Sequence, residues 1–136
     1  MEIVGGFKVE ISSSYEYFWR YNVAVTCGCF DGGGNRVGFA SADDHLADVG
    51  AGMKSEPKGF VLPRTVTFST VQCERLLMYI YVIPHTLPEG RDVAEYKPFD
   101  MTVRVTRDGR NVLTRTYSVN SWSGASIELP VEDKPR

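Results

Sequence analysis

The sequence predicts an all-β fold: a single antiparallel β-sandwich of about 7–8 strands over residues 1–136, Ig-like or C2-like, with one short helix near 42–49. Three observations predict it. Apolar residues recur with a period of two along most of the chain, the spacing of a strand with one buried face. Turn-forming residues separate these runs at short intervals. Outside 42–49 no run carries a 3.6-residue stripe, so no helical layer is available to cover a parallel sheet. The 136 residues are 43% hydrophobic and 24% charged, enough for one core and an ordinary surface.

The elements follow in order. Ile3, Gly5, Phe7, Val9 and Ile11 alternate with Val4, Gly6, Lys8 and Glu10, and Ser12-Ser13-Ser14 ends this first strand. From Tyr15 to Cys29 the odd positions are Tyr15, Tyr17, Trp19, Tyr21, Val23, Val25, Cys27 and Cys29, which predicts one long strand over 15–30, bent near Gly28. Asp31-Gly32-Gly33-Gly34-Asn35 reads as a flexible loop. Over 42–49, Ser41 is the expected N-cap, Asp44 its capping-box partner, Leu46 and Val49 the apolar stripe, and Gly50 the stop. Phe60, Leu62, Val66 and Phe68 share a parity that Arg64 breaks. Arg75–Ile83 is apolar on both faces, as in a central strand covered on both sides or one whose second face meets a partner. Pro84 to Pro98 is a long irregular connection. Phe99, Met101, Val103 and Val105 alternate with polar residues, and Asp108-Gly109 predicts a tight hairpin into 111–119. Ile127, Leu129 and Val131 supply the last strand.

The run Arg75–Ile83, the Leu87-Pro88 step, Pro98–Val105 and the Asp108-Gly109 hairpin resemble part of a C2-type β-sandwich, over about residues 74–119. That resemblance implies a sandwich shape. C2 domains often bind calcium through loop aspartates and dock on phospholipid. The corresponding loop here offers Glu89, Asp92, Glu95 and Asp100, without the repeated aspartates of calcium-binding members.

A formal net charge of −2 excludes binding to nucleic acid driven by a basic surface. The longest apolar run, Leu76–Ile83, is far shorter than the roughly 20 residues of a transmembrane helix. No basic leader precedes an apolar stretch, so a cytoplasmic location is expected ahead of a secreted or periplasmic one.

Asp43, Asp44, His45 and Asp48 have the residue types of a cation site, calcium included, in competition with helix capping. Cys27, Cys29 and Cys73 are expected as reduced core thiols, with a pairing of Cys73 to Cys27 or Cys29 left open. One residue separates Cys27 from Cys29, short of the spacing in zinc-binding pairs. Ser121-Trp122-Ser123-Gly124 is not a nucleophile elbow, and Gly32-Gly33-Gly34 is not a phosphate loop.

Surplus aromatics and clustered arginines remain. Phe18 and Phe30 oppose the parity of their strand, and Trp122 lies in a polar turn suited to stacking. Arg104, Arg107, Arg110 and Arg115 gather on the predicted hairpin. Together they point to a non-catalytic binding or assembly module with a protein or glycan partner and no resident cofactor. Homo-oligomerisation through the second face of Arg75–Ile83 is compatible with that reading. A calcium-responsive C2-like module is the first alternative, and a metal- or thiol-dependent enzyme around His45 and Cys29 the second.

Overall fold

Residues 6–88 and 96–133 are described by a computed structural model. Two four-stranded antiparallel sheets pack face to face. The first contains β1 (Phe7–Ser13), β4 (Arg64–Ser69), β6 (Phe99–Arg107) and β7 (Arg110–Val119), in the order β4-β1-β6-β7. The second contains β2 (Tyr21–Phe30), β3 (Arg36–Asp44), β5 (Arg75–Pro84) and β8 (Ala125–Glu132), in the order β3-β2-β5-β8. Period-two alternation builds the core directly. Val9, Ile11 and Val103 from the first sheet meet Val25, Met78 and Ile80 from the second, all fully buried. Each such side chain stabilises the fold by roughly 1.5–3 kcal/mol relative to exposure.

Two expectations are corrected. Residues 15–30 do not form one strand. Phe18 N–H donates to the Tyr15 carbonyl (3.0 Å) and Arg20 N–H to that of Tyr17 (2.9 Å), closing a 3-10 turn at Phe18–Arg20 before β2 begins. The chain must cross from one sheet to the other here, and the turn buries Phe18, Trp19 and Arg20 together as a plug. The helix near 42–49 is absent, because Ala42, Asp43 and Asp44 belong to β3, with Asp44 opposite Val23. The next segment finds its backbone partners on Asn22. Its Oδ1 accepts from Leu46 N–H (2.7 Å) and Ala47 N–H (3.2 Å), and its amide donates to the Ala47 carbonyl (2.6 Å). Ile3, Val4 and Gly5, placed in the first strand by sequence, lie outside the described residues, as do Glu89, Asp92 and Glu95.

The connections at 31–35, 70–74 and 108–109 share one end of the sandwich, while 14–20, 45–63 and 120–124, with residues 85–88 and 96–98, lie at the other, the long-loop end. Asp108 (φ 52°) and Gly109 (φ 76°) are both left-handed, the two-residue hairpin the sequence predicts. The 31–35 loop is held rather than slack. Asp31 Oδ1 accepts from Gly33 N–H and Asn35 N–H at 2.9 Å each, and bonds from Asn35 and Gly33 keep this carboxyl below its ordinary range.

At the long-loop end His85 is 1% exposed. Its Nε2 lies 2.7 Å from the Trp19 carbonyl and so donates there. Its Nδ1 lies 2.8 Å from Thr86 Oγ1, which also accepts Met53 N–H (3.0 Å). Thr86 can then donate its hydroxyl proton to an unprotonated Nδ1, so the neutral ring satisfies every partner. Burial lowers the His85 pKa below the usual 6.5. The unfolded chain therefore takes up this proton more readily, and the stability His85 contributes, complete above the unfolded pKa, is lost as pH falls through the folded one. The melting temperature should drop as pH is lowered from about 7 through the ordinary histidine value of about 6.5 and below, and His85→Asn should flatten that slope. Thermal denaturation of both proteins across that range checks it.

Candidate docking face

The two sheets share one core but differ in what they show to solvent. Strand alternation puts Lys8, Glu10, Thr65, Thr67, Thr102 and Thr116 on the outer face of the first sheet. This is a polar, threonine-rich surface, with a Thr102–Thr116 cross-strand hydrogen bond of 3.1 Å. The outer face of the second sheet carries Phe39, Leu77, Tyr79, Tyr81 and Ile83 instead. Phe39 is 62% exposed, Ile83 40%, and Tyr79 and Tyr81 37% each.

This apolar face has relief. Register sets Gly28 between Phe39 and Leu77, Thr26 between Ser41 and Tyr79, and Ala24 between Asp43 and Tyr81. The outward positions Ala24, Thr26 and Gly28 of β2 are small, with Leu77, Tyr79 and Tyr81 of β5 standing along one side and Phe39 of β3 on the other, so a groove runs along this part of β2. Over Gly28 it opens into a cavity of about 300 Å³ lined by Thr26, Phe30, Arg36, Phe39, Leu77 and Tyr79. Its floor is tight: a Cβ on Gly28 would come 3.0 Å from the Phe30 ring. Arg36 lays its guanidinium over the Phe39 ring at 5.2 Å. Tyr79 donates its hydroxyl to Glu128 (3.3 Å), and that carboxylate raises the Tyr79 pKa.

A second cavity of about 440 Å³ lies at the long-loop end, lined by Val49, Gly50, Met53, His85 and Leu87 among others. Its one imidazole already has both nitrogens in hydrogen bonds, so it offers no free acid, base or ligand.

The residues singled out by sequence scatter across the molecule. Phe18 is fully buried against Tyr21 and Phe99 and is no surface residue. Phe30 stands half-buried at the groove. Trp122 is 45% exposed in the 120–124 turn, with its ring centroid 5.8 Å from that of Tyr96. Asn120 Oδ1 fixes that turn by accepting from Trp122 N–H (2.8 Å) and Ser123 N–H (3.0 Å). The four arginines do not form one cluster. Arg107 is buried, 4.8 Å over the Phe7 ring and 3.5 Å from Asp133, because its parity is that of Val103 and Val105. Arg110 pairs with Asp133 at 2.7 Å. Arg104 faces outward opposite Glu10, whereas Arg115 lies opposite Val103, on the other face of the hairpin.

Asp43, Asp44, His45 and Asp48 are likewise not brought together. Adjacent strand positions put Asp43 and Asp44 on opposite faces. Asp44 pairs with Arg64 (2.9 Å), while His45 meets Asp48 (3.2 Å) on the surface. No group of three metal-ligand side chains occurs among the described residues. The three cysteines are free and buried. Burial pushes the Cys27 thiol up to about 12 and the Cys73 thiol up to about 11, far from a reactive thiolate. Cys29 and His45 lie at opposite ends of the second sheet, Cys29 opposite Gly38 and His45 just beyond Asp44.

Sequence reasoning missed Phe39, Tyr79 and Tyr81 as site residues. The two-sided apolar run at Arg75–Ile83 was the available signal: β5 is central, but only its inner face is covered.

No protein-family model matches the chain, and no curated protein does. It is similar to the solved structure of a domain of unknown function, DUF4425, from Bacteroides vulgatus, with 13% identity, 98% of this chain and 100% of that chain covered, and a TM-score of 0.49. It is also similar to a DUF4425 family protein from Bacteroides ovatus, with 12% identity, 94% and 93% covered, and a TM-score of 0.42.

Proposed function

We propose that the protein is a non-catalytic binding or assembly module that docks a protein partner through the outer face of its second sheet. One observation carries this reading: two sheets built by the same alternation end in opposite outer surfaces, one polar and one aromatic. Core formation explains the inward residues of both and the outward residues of neither. Exposed apolar side chains gathered on one face mark an interaction surface. Protein interfaces combine an aromatic centre with a polar rim, and here Arg36, Asp43 and Glu128 border the aromatic rows. The groove over Gly28 has room for an inserted apolar side chain of the partner. The Trp122–Tyr96 pair supports a second reading, a sugar ring stacked at the long-loop end.

The calcium-responsive alternative and the enzyme around His45 and Cys29 draw no comparable support from the described residues. Uptake of the apolar anion 8-anilinonaphthalene-1-sulfonate tests the docking face. Dilute native protein should bind the dye, and Phe39→Thr with Tyr79→Thr should abolish binding.

A further inference from the structure

We infer that the partner is a second copy of this chain, seated face to face on the second sheet about a two-fold axis that runs across the strands. This rests on the docking face proposed above.

Two features of that face point to self-association. The first is size. The levels from Arg36 to Asp43 take in Ala24 to Phe30 of β2 and Arg75 to Tyr81 of β5, about 23 Å of strand, and four strands spaced about 4.8 Å apart give a shared face of roughly 440 Å² in projection. Side-chain relief raises the accessible area to the roughly 600 Å² per partner of a small interface, the size of a weak, concentration-dependent dimer. The second is charge. Arg36 and Asp43 stand outward at opposite ends of β3, and neither has an ion-pair partner among the described residues. A two-fold across the strands reverses strand direction, laying β3 over β3. Arg36 of each copy then faces Asp43 of the other, and both unpaired charges are answered twice. A bulge sets Arg36 level with Phe30, so the segment 36–43 is centred at the level of Ala40, and the axis passes one residue from Phe39, whose ring then lies over Ser41 of the other copy and beside its own counterpart. The other two-fold, along the strands, would put Arg36 over Glu132, which Arg75 already approaches at 3.8 Å. Such an interface is isologous and closes at two copies.

Sedimentation velocity of the full chain at low salt, from roughly 1 to 100 µM, tests the inference. The wild type should form a dimer of two 15.2 kDa chains as concentration rises. Arg36→Asp and Asp43→Arg should each weaken it by about tenfold or more, and the double variant should restore it. Both residues are exposed, so the variants should fold, and circular dichroism confirms that they do. A wild type monomeric throughout overturns the inference, as does a double variant no tighter than the singles. If the dye still binds to a monomeric wild type, the docking face stands and its partner is another protein. If the dye also fails, the docking face falls with the dimer.

Discussion

Replacing Arg64 by alanine should cost about 3–5 kcal/mol of stability, a fall of roughly 10–20 °C in melting temperature. Arg64 is 6% exposed and ties together three segments at the long-loop end. Its Nη1 donates to the carbonyls of Phe18 (2.8 Å) and Tyr21 (2.6 Å). Its Nε donates to Asp44 Oδ2 (2.9 Å) and its Nη2 to the Asp44 carbonyl (3.1 Å), while the guanidinium lies 4.9 Å over the Phe18 ring. Burial lowers the Arg64 pKa and the Asp44 carboxylate acts against that, so the buried charge is offset by its partner. Alanine leaves two buried carbonyls without this donor and Asp44 without its cation. Arg64→Lys should recover part of the loss, because a single ammonium cannot span partners on two sides as the planar fork does. Urea denaturation of the three proteins checks the order.

Gly124→Ala should be nearly as damaging, at roughly 2–5 kcal/mol, for a different reason. Gly124 has φ +73°, and a Cβ there would lie 1.9 Å from the Val82 carbonyl oxygen and 3.1 Å from Pro84 Cδ. Neither backbone nor proline ring can swing away as a flexible side chain would. Gly124 N–H also closes the turn on the Asn120 carbonyl (2.8 Å), so β8 and the loop carrying Trp122 must shift together. Thermal denaturation measures the loss. The tryptophan emission of Gly124→Ala should also move, because Trp122 rides on that turn.

Much of the sandwich is legible in the sequence, because its core residues alternate cleanly with polar ones. Val103 and Val105 between Thr102, Arg104 and Thr106 could be nothing but a half-buried strand, and Asp108-Gly109 fixes the hairpin beside it. β3 was hard to see for a physical reason. Its inward residues Gly38, Ala40 and Ala42 are too small to carry a hydrophobic period, and Ser41 with Asp44 imitates a helix cap. Trp19 kept the parity of a strand and Phe18 opposed it while both formed a turn, because a plug at the sandwich end buries residues of both parities. Arg64 interrupting the parity of Val66 and Phe68 was a readable anomaly, a charge held where an apolar side chain was due. The docking face was half legible. β5 announced a second apolar side, but its partner Phe39 came from the strand that was hidden, and the groove depends on Gly28 being paired between Phe39 and Leu77, which only register reveals.

The docking face is tested most directly by titrating 8-anilinonaphthalene-1-sulfonate into dilute wild type and into the Phe39→Thr, Tyr79→Thr double variant, with both melting temperatures measured alongside. Threonine suits an exposed strand position, so a face that is spare to the fold can lose its aromatics freely. The account predicts dye binding by the wild type, none by the variant, and melting temperatures within about 3 °C of each other. Equal dye binding by both proteins would contradict it. So would a fall in melting temperature beyond about 10 °C, because Phe39 and Tyr79 would then be holding the sheet together.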